Sequence, residues 1–206
     1  MNIWIVVPIA ALLIQGLALA QESAEALSIQ PPKAWGSWKQ IFDQRAPDGN
    51  HLTGFAPPDQ DRSTWKEAIS IYTFASRPAG DVTTEVIRNT MKQSNAACVT
   101  MNIVRPNPRT EGFFTVAYAQ VYCAERRDKK VGRIEFIKAI ASERRVYLII
   151  VMKNVKPFRI AAAGTFNFAD DESVPIVDWL KETSDYLTNN VRVCIGPIEK
   201  RTACSS

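Results

Sequence analysis

Residues 98–123 read CVTMNIVRPNPRTEGFFTVAYAQVYC, two runs rich in strand-forming residues with a cysteine at each outer end. β-Branched and aromatic side chains pack well on a pleated surface, so 98–105 and 113–123 predict two strands. The break between them is short, which makes them antiparallel neighbours closed by a turn at 106–112. Opposed residues should then have numbers summing to roughly 218. Cys98 falls opposite position 120 or so, and Cys123 lies close enough for a disulfide that staples the open end.

Whether such a bridge forms depends on compartment, and the chain begins with a relevant segment. Ile3 to Ala20 carries no charge and ends in Ala18-Leu19-Ala20. A small-x-small ending after an apolar run predicts a secretory signal peptide over 1–20, cleaved before Gln21. A retained anchor is the competing reading. Pro8, Gln15 and Gly16 interrupt the run and no basic cluster follows it, so periplasmic or secreted localisation is expected, with no stable membrane insertion after cleavage. Cys98, Cys123, Cys194 and Cys204 all lie beyond the leader. An oxidising compartment pairs thiols, and four cysteines allow three connectivities. Register favours Cys98 with Cys123 and, by elimination, Cys194 with Cys204, which would clip a C-terminal tail; the crossed pairings stay open.

The rest of the chain reads as an arm followed by one folded unit. Residues 21–63 hold Pro31, Pro32, Pro47, Pro57 and Pro58 with Gly36, Gly49 and Gly54, the punctuation of an irregular arm. Trp35, Trp38, Ile41 and Phe42 follow i, i+3, i+4 spacing and predict one short helix around Trp38 to Gln44. From 64 to 206 a single α+β domain is expected. Trp65 to Phe74 alternates as a strand, and Asp81 caps a helix beginning VTTEVIRNTMKQ. Four strands follow, at 98–105, 113–123, 133–141 and 146–152. The run YLIIVM in the last suits a strand buried on both faces. The period of 133–141 is less regular, and a helix stays open there. Ser173-Val174-Pro175 opens a final helix ending near Asn189-Asn190. The expected fold class is α+β: an antiparallel sheet of about five strands with two or three packed helices.

Catalytic fingerprints are scarce. There is no GxSxG elbow, no GxxxxGK and no GxGxxG, and His51 is the one histidine, leaving little for nucleophilic, phosphate or zinc chemistry. The acidic cluster Asp170-Asp171-Glu172 precedes the last helix, where negative charge complements free amides and the dipole. Catalytic residues, metal and cofactor are therefore all expected to be none. The formal net charge of +4 is too small to argue for nucleic acid. In a meander, alternate turns share an end, so the turn bearing Arg105 and Arg109 should lie beside that bearing Arg144 and Arg145. These four arginines, with Trp35 and Trp38 on the arm, are the candidate binding residues.

A Pro/Trp arm, a strand opening WKEAISIY, a helix, a sheet meander and a final helix together resemble small proteobacterial periplasmic proteins of unknown function. By element order over about 65–190 the chain also resembles PsbP/Mog1-like α+β sandwiches. The resemblance implies fold alone, because fold does not supply function. The expected function is a non-catalytic binding or accessory protein in an envelope complex, its partner another envelope protein. A hydrolase of unrecognised type and a carrier of a small apolar ligand are the alternatives; a pocket with convergent polar groups would favour either over a docking protein.

Overall fold

The computed structural model describes residues 24–29, 35–75, 81–161 and 165–196. The expected signal peptide and Cys204 lie outside these residues. Strands β2 (Lys39–Arg45), β3 (His51–Ala56), β4 (Glu67–Phe74), β5 (Cys98–Glu111), β6 (Phe114–Arg126), β7 (Gly132–Ala141) and β8 (Val146–Val155) form one antiparallel sheet. Its order is β2-β3-β4-β8-β7-β6-β5. Helix α1 (Val82–Ala97) lies between β4 and β5 in the chain, and α2 (Asp170–Asn189) follows β8. Two small pairs accompany the sheet: β1 (Ala24–Ile29) with β11 (Val191–Gly196), and β9 (Arg159–Ile160) with β10 (Phe166–Asn167).

Side-chain alternation divides the core in two. On one face Ile134, Phe136 and Ile140 of β7 pack with Ile149 and Val151 of β8 and with Ile176, Trp179, Tyr186 and Leu187 of α2. On the other face Ile137 and Ala139 meet Leu148 and Ile150 and Ile87 of α1. The continuous apolar run of β8 is thus explained by burial on both faces. α1 starts where expected, with the Asp81 carboxylate accepting a hydrogen bond from the Thr84 amide. α2 starts at Asp170, its acidic first turn held to Lys156 through Asp171 and Glu172.

The α+β expectation is overturned. The molecule is mostly sheet, with seven strands in its main sheet instead of about five, and two helices among the described residues. The first reason lies in 39–56. The short helix expected at Trp38 to Gln44 is strand β2, and His51–Ala56 is strand β3; both are hydrogen-bonded into the main sheet. Their prolines and Gly49 sit in the flanking turns, which makes a half-exposed strand pair look irregular. Gly54 is inside β3 because the Phe42 ring of β2 lies over it, 2.1 Å from where a Cβ would stand. The second reason is the C-terminal segment: 191–196 is a strand paired with β1.

The stretch 98–123 differs in a related way. The reversal is not spread over 106–112. β5 runs on to Glu111, and the chain reverses at Gly112-Phe113, with Gly112 at φ +60°. Pro106 and Pro108 sit on the edge strand, beside a register shift between Val104 and Asn107. A proline there costs no ladder bond and discourages pairing with another sheet. Cys98 opposes Arg126 and Cys123 opposes Met101, and further register shifts between Cys98 and Met101 leave the two cysteine Cα atoms 5.6 Å apart. The Cys98–Cys123 disulfide is therefore present although the register that suggested it is displaced. Cys194 is also disulfide-bonded.

Candidate functional site

α1 covers only part of its side of the sheet. Its main contacts are with β5, β6 and β7, with fewer to β8. Between α1 and strands β8 and β4 runs a groove of about 490 Å³. Leu148, Ile150 and Met152 of β8 and Tyr72 and Phe74 of β4 form its apolar floor, and Val86, Thr90, Gln93 and Ser94 of α1 form one wall. These floor residues share a face because Leu148 pairs with Tyr72 and Ile150 with Ser70. Leu148 to Met152 spans roughly 13 Å at the usual rise per residue.

One end of the groove is polar. Arg133 and Glu135 project from β7 and Arg126 from the end of β6. Arg133 and Glu135 are 8% and 5% exposed, rare values for charged side chains and hence informative. Ser94 Oγ donates to Glu135 Oε2 at 2.8 Å, and Arg133 Nη1 stands 3.8 Å from Glu135 Oε1. Arg133 Nε donates to Asn154 Oδ1 at 3.0 Å, and its guanidinium lies over the Trp65 ring at 4.7 Å. Arg126 forks onto Asp128 with two bonds of 2.8 Å. Burial pushes the Glu135 carboxyl upward, against the opposing Ser94 bond and arginine charges. Burial, aided by repulsion from Arg126, lowers Arg133 to about 10. Desolvation dominates both shifts, as expected where an apolar floor meets charge.

The opposite face carries a second buried charge with a different environment. Lys138 of β7 is 0% exposed and donates to the carbonyls of Leu187 and Val191, both at 2.8 Å. Through Leu187 it satisfies the end of α2, where carbonyls lack partners within the helix, and through Val191 it ties in the start of β11. Glu111 lies 3.7 Å away and accepts from Arg109 Nε at 2.9 Å and from the Tyr118 hydroxyl at 3.0 Å. Burial lowers Lys138 to about 8. A cavity of about 220 Å³ beside Arg109 and Tyr118 is bounded by the end of α2.

The structure separates the sequence-derived candidates. The hairpin tip at Gly112-Phe113 and the turn bearing Arg144 and Arg145 do lie at the same end of the sheet, because Thr115 pairs with Ala141. Arg109 is two residues from the end of β5, bound to Glu111 and lying over Tyr118 at 4.6 Å. Arg105 is six residues from the strand end, roughly 20 Å along β5, beside the bulge. Arg144 and Arg145 are exposed. Trp35 and Trp38 pack against each other at 5.6 Å and Trp35 against Tyr186 at 5.2 Å, on the α2 side of the core. Trp38 Nε1, Thr183 Oγ1 and the Tyr186 hydroxyl are buried there without a hydrogen-bond partner among the described residues. His51 pairs across strands with Asp43 at 2.6 Å.

Arg133, Glu135 and Lys138 were not singled out by sequence reasoning. Their signal was present: three charges within RIEFIKAIA, a run whose every residue is buried. An interrupted apolar period is what a central strand shows when charges from both faces are buried, and it had left a helix open.

No family model matches the chain, and no curated protein matches it. Among solved structures, one described as LpqN, involved in cell envelope biogenesis of Mycobacterium tuberculosis, aligns over 87% of this chain and 88% of its own. The identity is 12% and the TM-score 0.36, too low to carry an argument about fold or function. Among the described residues no helix is long and apolar enough to cross a membrane.

Proposed function

We propose that this chain is a non-catalytic binding protein of an extracytoplasmic compartment, and that its ligand is a small molecule with an apolar body held in the groove between α1 and β8. The compartment rests on the leader-like segment 1–20 and on the Cys98–Cys123 bridge, since such bridges persist where thiols are oxidised. The ligand class rests on one observation. A groove floored by Tyr72, Phe74, Leu148, Ile150 and Met152 ends in the convergent polar groups Ser94, Arg126, Arg133 and Glu135. Apolar walls with a few placed polar groups are the usual make-up of a small-molecule site. A role as an accessory protein docked on an envelope partner is the second reading, favoured by the exposed Phe113 at the hairpin tip near Arg144 and Arg145.

The test is uptake of a neutral fluorescent probe, N-phenyl-1-naphthylamine, by the purified chain. Binding with blue-shifted emission is expected, and Met152→Trp, which fills the floor, should weaken it at least tenfold. Equal binding by the parent and Met152→Trp would place the ligand elsewhere and remove the support for this reading.

A further inference from the structure

The polar end of the groove gathers two guanidinium groups against two carboxyls, one of them exposed and the other beyond hydrogen-bond reach of its arginine. Arg126 spends Nε and Nη2 on Asp128. Arg133 spends Nε on Asn154, and among the described residues its Nη atoms make no hydrogen bond. Glu135 is the obvious counter-charge, but at 3.8 Å it is beyond hydrogen-bond reach of Arg133, and its other oxygen is taken by Ser94. A carboxyl this buried is driven toward its neutral form. Two guanidinium groups therefore meet one exposed Asp128 and one weakly engaged carboxyl at the mouth of an apolar trough. Guanidinium forks match planar carboxylates in geometry and charge, whereas an ammonium would meet like charge in a half-dry site.

We propose that the groove selects a single-chain amphiphile with a carboxylate head, its chain on Leu148, Ile150 and Met152 and its head on the free Nη groups of Arg133 with Arg126 beside it. The inference rests on the groove reading above and adds the head-group class.

The experiment displaces N-phenyl-1-naphthylamine from the full chain with dodecanoate, dodecanol or dodecylamine. Dodecanoate should compete at least tenfold better than either. Arg133→Gln should reduce that advantage to less than threefold while probe binding is kept. Arg126→Gln, a more exposed site that leaves the Trp65 stack in place, should reduce it in the same direction, and Glu135→Gln should preserve it. Equal competition by the three ligands, or a preference for the amine, would overturn the head-group assignment while leaving the groove intact. Absence of probe binding by the parent would overturn both, because no groove ligand would then exist.

Discussion

Strand β7 carries buried charge on both faces, and the two faces treat it differently. On the α2 side Lys138 is enclosed, with a carbonyl from the last turn of α2 and one from the start of β11 as acceptors and Glu111 nearby. On the α1 side Arg133 and Glu135 stand at the end of a groove, with Nη donors unspent among the described residues. A buried charge with its hydrogen bonds filled holds elements together. One left with spare donors beside an apolar surface has capacity for something else. The difference arises from coverage: α2 together with the small strand pair β1-β11 spans its side of the core, whereas α1 packs mainly on three strands.

The contrast can be broken most forcefully by truncating one large side chain on each face. Trp179→Ala, on the closed α2 side, should cost about 3 to 5 kcal/mol. Met152→Ala, in the half-buried groove floor, should cost about 1 kcal/mol, because little packing surrounds it to be lost. Denaturant midpoints of the two variants measure the comparison directly, and equal losses would mean that the groove is as tightly packed as the core.

Lys138→Met comes next. It leaves the Leu187 and Val191 carbonyls without their donor, and a loss of about 2 to 4 kcal/mol is expected. The folded lysine titrates at about 8 against an ordinary 10.5, so between these values the unfolded chain binds more protons. Stability of the parent relative to Lys138→Met should therefore rise with pH from about 8 toward 10.5. Urea titrations across that range would show a flat difference if Lys138 were solvated.

Glu135→Gln should act in the opposite sense. The buried carboxyl is raised above its ordinary 4.5, so its contribution is fully present below that pH and is lost as pH rises through the folded value. The amide removes that loss. A gain on the order of 1 kcal/mol at pH 7, fading to none below pH 4.5, is expected. A destabilisation at pH 7 would mean that the charged pair with Arg133 outweighs its desolvation. The last effect belongs to a site remote from either charge. Asp81→Ala removes the α1 cap and should cost about 1 kcal/mol by thermal melting, without altering probe binding in the groove.

The legible and illegible parts of the chain differ in how local their causes are. The Asp81 cap, α1, β4, β8 and the last helix were readable, since each depends on spacing and propensity within a few residues. β2 and β3 were not. β2 is an edge strand paired only with β3, which leaves Lys39 to Arg45 mostly exposed, and an exposed strand shows no clean alternation. The turn misplaced at 106–112 has the same origin: prolines that normally signal a turn instead protect an edge. Lys138, Arg133 and Glu135 were visible as charges but not as a site, because nothing local reveals which face each one meets.

By itself the sequence determined the strand-rich order from 98 to 155 and the α1 cap, both set by backbone propensity and short-range geometry; it favoured the Cys98–Cys123 staple and left the crossed pairings open. Tertiary structure alone decided that 39–56 joins the sheet, that α2 closes one face, and that α1 leaves a groove on the other. Those outcomes depend on which surfaces remain to be covered once the strands have paired. That is a property of the assembled sheet and of contacts between residues far apart in the chain.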